Sequence, residues 1–292
     1  MVEFQGRRGI DAVTEALVKL ALLEDLASYG DVTSEWTVPP QAEARARVVA
    51  REEAVVSGLP LAAAVMREVD PSCLFGEKAV EGQELAAGDV LAEIRGRARS
   101  VLAAERTMLN MLRHVCGVAT QARLFSRAVE GTNAVVVDTR KTMPGLRFWE
   151  KRAVRAGGCE NHRFGLFDMV LIKDNHVVAG GSIAAAVRAA KTRAPFSMKV
   201  EVEVQDEAGL REAVAAGADI VLLDNMEPET LRRCVEAARL LDPSVLLEAS
   251  GRVTLENVAA IARTGVDLIS SSALTAGAPP VDLALDFVVD TA

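Results

Sequence analysis

Paired cysteines are missing from this chain. Its four, Cys73, Cys116, Cys159 and Cys234, are scattered without the close spacing of a metal site. That pattern points to reduced thiols rather than a disulfide framework. Long apolar runs are missing too. The most apolar stretch, "AVVSGLPLAAAVM" (54–66), is interrupted by Gly58 and Pro60 and is too short to span a bilayer. The N-terminal stretch carries acids and bases throughout, unlike a signal peptide, so a cytoplasmic protein without membrane contact is expected. A net positive charge is also absent: the formal charge is −8, which argues against a broad nucleic-acid-binding face. No glycine-rich dinucleotide fingerprint follows any strand-like run, which counts against a Rossmann assignment.

The composition is that of a globular protein, with half its residues hydrophobic and a quarter charged. At 292 residues there is material for one large domain or two ordinary ones. Residues 9–27 repeat apolar positions at helical spacing, and "YGDVTSEWTVPP" reads as loop. Short strand-like pieces follow between 45 and 102, including "RSVL". A helix over about 103–117 would place Arg106, Asn110 and His114 at successive i, i+4 positions on one face.

Beyond that point apolar strand candidates recur at 134–139, 168–175, 198–204, 219–225, 245–250 and 267–274, the later ones separated by alanine-rich helical stretches. Strand–helix alternation with buried strands predicts a parallel α/β sheet. Nearly every strand ends in polar residues, such as Asp138, Lys173, Asp224, Glu248 and Ser250, which favours a barrel whose C-terminal strand ends share one mouth.

Three residue sets could carry chemistry there. The first is basic: Arg106, Arg140, Lys141, Arg147, His162, Arg163 and Lys173. Forked guanidinium donors and compact ammonium charges suit carboxylates and phosphates. Each arginine taken singly also reads as a solvated or ion-paired surface residue. The second is acidic: Glu201, Glu203 and Asp224. The period of two in "KVEVEV" puts both glutamates on one strand face. They fit either ion pairs with nearby cations or Mg²⁺ and ribose hydroxyls. The third set is small and follows strands: "EASG" (248–251) and "SSSALTAG" (270–277). These read either as phosphate cradles or as tight turns.

The strings "ERTMLN", "DTRKTMPGLRFWEKRAV", "NHRFGLFDMVLIKDNH", "EVEV", "VLLDN" and "EASG" occur in one order, together with "EDLASYGDVTS" and "ALTAGAPPVDLALDF". In that order and over essentially the whole chain, the sequence resembles the quinolinate phosphoribosyltransferases. The resemblance implies an N-terminal open α/β sandwich domain over 1–115, with the tail 276–292 returning to it. It also implies an incomplete, about seven-stranded, TIM-like α/β barrel over 116–275. The implied reaction joins quinolinate to phosphoribosyl pyrophosphate with decarboxylation, giving nicotinate mononucleotide, pyrophosphate and CO₂ in NAD biosynthesis. Mg²⁺ is implied and no organic cofactor.

The substrate-binding residues so implied are Arg106, Arg140, Lys141, His162, Arg163, Lys173, Glu203, Asp224, Ser250, Gly251 and Ser272. Lys141, Lys173, Glu203 and Asp224 are the implied catalytic group, with Glu203 and Asp224 near the metal. Arg106 would enter the neighbouring subunit's site, so a homodimer or a higher homo-oligomer is implied. Two loops depart from the family: Arg252 stands where "SGG" is common, and Ser272 where glycine is usual. Arg252 is expected to point away from the ligand or to pair with an acid. On the residues alone other readings stay open. One is a barrel aldolase using Lys141 or Lys173. Another is a paralogous phosphoribosyltransferase for a different heterocyclic acid. The third is a silent homologue that only binds a phosphorylated ligand.

Overall fold

In the computed structural model of the chain, residues 11–288 are described. The first two residues of the expected N-terminal helix and the last four of the expected tail lie outside them. The chain groups into two compact units. One comprises residues 1–121, 143–157 and 278–292; the other comprises 122–142 and 158–277. Residues 143–157, which sequence places with the barrel, pack with the first unit, and its main stretch runs to 121 rather than 115.

The first unit is built on an antiparallel sheet in which the strand Glu43–Ala50 lies between Leu283–Phe287 and Val90–Arg97, with Leu74–Glu77 outermost. The late strand Leu283–Phe287 thus pairs with one from near the start of the chain. Inward residues Ala46, Val48 and Ile94 are fully buried, while Arg45 and Arg47 on the other face pair with Glu93. Helix Leu59–Val69 begins after Gly58, whose φ of 89° suits glycine; a Cβ there would strike Val115. Sequence reading missed this helix because Gly58 and Pro60 look like breakers, yet proline is tolerated in a helix's first turn. Two other segments need correction. "VTSEWT" forms a short helix rather than loop, capped by Asp31, whose side chain accepts from the Ser34 N–H. "RSVL" is not a strand but the opening of the long helix Ala98–Ala128.

The second unit is a parallel sheet of six strands: Val135–Val137, Leu268–Ser270, Leu246–Ser250, Ile220–Asp224, Val200–Val204 and Val170–Ile172, in that spatial order. Glu160 adds a one-residue parallel bridge outside Val137, which accounts for a count between six and seven. Register assigns the faces. Glu201, Ile220 and Leu246 are level, as are Glu203, Leu222, Glu248 and Leu268, and Asp224 is level with Ser250. These residues therefore share one face. The opposite face presents Val200, Val202, Val204, Val221, Leu223, Leu247, Ala249 and Ile269, all buried. Helices Ile183–Arg193 and Glu207–Ala215 pack against strand Val200–Val204.

The sheet curls. Glu160 lies five strand positions from Glu201, about 24 Å in a flat sheet at ~4.8 Å per strand. His162 is only two residues further on, about 7 Å of chain. Even so, its ring reaches Glu201 at 3.1 Å. Only a sheet rolled into an incomplete barrel brings those groups together.

Candidate functional site

The polar face of the rolled sheet collects most of the expected residues. At its first edge, strand Val135–Val137 leads into buried Asp138 and then Arg140 and Lys141. Asp138 holds the next segment to this edge: Oδ1 accepts from the His162 backbone N–H at 2.9 Å and Oδ2 from Asn161 at 3.1 Å. Backbone contacts fix Lys141, whose N–H donates to Thr139 and whose carbonyl accepts from Thr275 Oγ1 at 2.8 Å. Its side chain is exposed.

His162 sits against two fully buried carboxylates. Its Nε2 lies 3.1 Å from Glu201 and 3.3 Å from Glu248. The Arg163 backbone nitrogen lies 2.8 Å from its Nδ1. Against burial, the hydrogen bonds to Glu201 and Glu248 raise the His162 imidazole to about 10, so Nε2 carries a hydrogen and donates to the glutamates. The three groups are close enough to hold a metal, their ligand atoms lying within 4.8 Å of one another. A protonated Nε2 is a donor, however, not a ligand. Burial pushes the Glu201 carboxyl up to about 7, against the hydrogen bond from His162. Both ring nitrogens thus face protein groups. Nε2, the ring nitrogen expected to meet a substrate carboxylate, here faces Glu201 and Glu248.

Arg163 is half-buried beside Arg140. Burial first, and the neighbouring Arg140 charge second, lower the Arg163 guanidinium from its usual range. One of its terminal nitrogens donates to the Met169 carbonyl at 3.1 Å. At the other edge, Lys173 Nζ meets Glu203 Oε2 at 2.5 Å. The Lys173 backbone N–H donates to His176 Nδ1 at 2.9 Å, a structural use for that histidine.

The last strands bring the small-residue loops together. Ser270 Oγ donates to Ser250 Oγ at 3.0 Å, and Ser271 Oγ donates to the Val253 carbonyl at 2.9 Å. Ser272 opens a short 3₁₀ turn over Ser272–Leu274. Between Asp224 and Ser250 sits Asn225, with φ of 53°. Its N–H donates to the Ser250 carbonyl at 2.8 Å and its side-chain amide to Asp224 at 2.7 Å. Arg140, Arg163, Lys173, Glu203, Asp224, Ser250, Gly251 and Ser272 thus all belong to the second unit, with Lys141 and His162. Arg106 and Arg147 belong to the first; Arg106 lies exposed on helix Ala98–Ala128.

Comparison with known proteins fits this arrangement. The C-terminal domain of quinolinate phosphoribosyl transferase matches residues 118–286, and the N-terminal domain of the same enzyme matches residues 31–136. The chain belongs to the quinolinate phosphoribosyltransferase family. It is 44% identical to the probable nicotinate-nucleotide pyrophosphorylase (carboxylating) of Synechocystis over 248 residues, 85% of this chain and 84% of that protein. The nicotinate-nucleotide pyrophosphorylase (carboxylating) of Mycobacterium leprae is 41% identical over 276 residues, covering 92% and 95% of the two chains. Among solved structures, the nicotinate-nucleotide pyrophosphorylase of Francisella tularensis is 37% identical and covers 96% of this chain and 98% of its own, with a TM-score of 0.89.

Within this family frame, sequence reading passed over several residues. Glu248 was noted only as a polar strand end, although a glutamate inside the apolar run "VLLEAS" signals a buried partner. Asn225 and Ser270 read likewise only as polar strand ends, and Thr275 carries no signal; all three act through loop contacts that only the fold creates. Arg252 Nε lies 3.4 Å from the Asn225 side-chain oxygen, and among the described residues no salt bridge joins it to an acid, so the acid-pairing half of its expectation is not met. Cys159 is buried and its thiol donates to the Ala122 carbonyl. No helix among the described residues is long and apolar enough to cross a membrane.

Proposed function

We propose that this chain is a quinolinate phosphoribosyltransferase of NAD biosynthesis, forming nicotinate mononucleotide from quinolinate and phosphoribosyl pyrophosphate with loss of CO₂. The observation that carries this reading is that Arg140, Lys141, Arg163 and Lys173 all belong to one unit, on segments flanking its parallel strands, with Arg163 half-buried. Two like charges held together in a partly desolvated site are a cost that a dicarboxylate relieves. Each ring carboxylate would take one guanidinium, and Lys173, exchanging Glu203 for substrate, would add a third positive group.

In the chemical step the pyridine nitrogen attacks C1 of the ribose. The C1–oxygen bond breaks, and its electron pair leaves with pyrophosphate. Charge builds on the ribose ring, next to the Glu203 and Asp224 carboxylates, which favour it electrostatically. The bond from C2 to its carboxyl carbon then breaks, CO₂ departs, and the electron pair left on C2 takes up a proton. The pyridinium nitrogen serves as electron sink. Lys141, with its backbone anchored by Thr139 and Thr275, is placed to meet a phosphate. His162 acts by donating to Glu201 and Glu248 rather than by meeting the substrate itself.

Glu203 and Asp224 suit Mg²⁺, being hard-oxygen donors on adjacent strands and one sheet face. When bound, the ion would offset charge on the departing pyrophosphate. We assign the active assembly as a homodimer, in keeping with the exposed position of Arg106. The test is product analysis with quinolinate and phosphoribosyl pyrophosphate, using nicotinate as control. Nicotinate mononucleotide and CO₂ should form from quinolinate, with little turnover of nicotinate. A site built for two carboxylates leaves an arginine uncompensated when one is missing. Equal use of both acids would sink the assignment.

A further inference from the structure

We propose that Arg252 is a substrate-gripping residue, holding the 5′-phosphate of the ribosyl donor. The proposal rests on the function assigned above and extends its phosphate site. Arg252 has a φ of 47°, the left-handed region that side-chain-bearing residues avoid. That backbone shape is held by Asn257. The Arg252 carbonyl accepts from Asn257 Nδ2 at 3.0 Å, and Asn257 Oδ1 in turn accepts from the Thr254 N–H at 2.8 Å.

The side chain is exposed, yet it does not lie over neutral surface. Its Nε is directed at the Asn225 amide oxygen, and the same amide's nitrogen donates to Asp224. The guanidinium therefore lies beside the C-terminal ends of strands Ile220–Asp224 and Leu246–Ser250. The neighbouring loop 270–275 is tied to the same place by the Ser270–Ser250 and Ser271–Val253 hydrogen bonds. Loops after the closing strands of α/β barrels are where phosphate is bound. With Nε engaged, the two terminal nitrogens remain to donate as a fork, the geometry that matches a phosphate. Ser250 supplies a hydroxyl at the same strand end.

The experiment compares the wild type with Arg252→Gly, which removes the guanidinium and suits the left-handed backbone. Steady-state kinetics should show the donor KM raised about tenfold, the loss expected for a hydrogen bond to a charged group. The quinolinate KM should stay within about twofold, because that site lies with other residues. The melting temperature should not fall, since glycine relieves the positive φ. Calorimetric titration with ribose 5-phosphate should show weaker binding by the variant, while inorganic pyrophosphate binds both proteins alike. An unchanged donor KM overturns the proposal, as does a parallel rise in both KM values with a lower melting temperature, which would mark a structural role. Loss of pyrophosphate rather than ribose 5-phosphate affinity overturns the 5′ assignment. A wild type without turnover that still loses ribose 5-phosphate affinity on substitution sinks the functional reading and leaves Arg252 as a phosphate ligand.

Discussion

Gly251 shows how one residue can be identified correctly for an incomplete reason. Its place after "EAS" marks it as a glycine that lets a backbone approach phosphate. In the structure it also has a φ of 95°, and a Cβ there would fall on the Asn225 side chain, 2.9 Å from that residue's backbone nitrogen. The neighbour is invisible in sequence because it comes from the preceding strand–loop junction. Gly251→Val should therefore displace Asn225, release Asp224 from its amide partner, and damage stability as well as donor binding. A destabilisation of about 2 kcal/mol, within the range for strained backbone positions, is expected in denaturant unfolding, together with loss of donor binding in calorimetry. Unfolding equal to the wild type would show that the loop absorbs the side chain. His162 carries the complementary lesson. Its position in "NHR" marks it as functional, but its two glutamate partners lie 39 and 86 residues further along the chain, and only the curled sheet joins them.

At the scale of elements, periodicity carried the second unit well: all six parallel strands lie within the segments read from sequence. Buried parallel strands are short and strongly apolar, so the signal is local. The first unit was less legible, because its helices begin at residues that resemble breakers and its strands are closed by distant polar contacts. Asp70 is such a contact. It ends helix Leu59–Val69 and is buried. It accepts from Ser72 Oγ at 2.6 Å, from Ser100 Oγ at 2.7 Å and from Arg97 at 2.7 and 2.9 Å. These bonds, the serine hydroxyls foremost, hold its carboxyl well below the ordinary 3.8 despite burial. A carboxylate with a depressed folded-state pKa contributes stability above its unfolded value and loses it as pH falls through the folded one. Asp70→Asn should thus cost about 2 kcal/mol at pH 7, as for a hydrogen bond to a charged group. The gap from the wild type should close progressively below about pH 4. Urea unfolding at a series of pH values measures it; a gap independent of pH would mean the charge plays no part.

For the whole molecule, the open question is how Arg106 takes part. It sits exposed on a helix of one compact unit, while Arg140, Lys141, Arg163 and Lys173 all belong to the other. If each site takes Arg106 from the partner, a two-fold dimer has two sites, each built from both chains. The assignment is tested with two inactive proteins. Arg106→Ala lacks the donated arginine but keeps an intact Lys141, whereas Lys141→Ala has the opposite defect. Either alone should fall at least a hundredfold in kcat/KM, roughly the 3 kcal/mol expected when a charge pair enclosed by bound substrate loses one partner. After mixing and subunit exchange, half of the molecules become heterodimers at random pairing. Each heterodimer then has one site with both defects and one with neither, so activity should return to about a quarter of the wild-type level per subunit. No recovery, with exchange verified by mass, would place Arg106 in the site of its own chain. Full activity in a wild-type monomer would remove the shared site altogether.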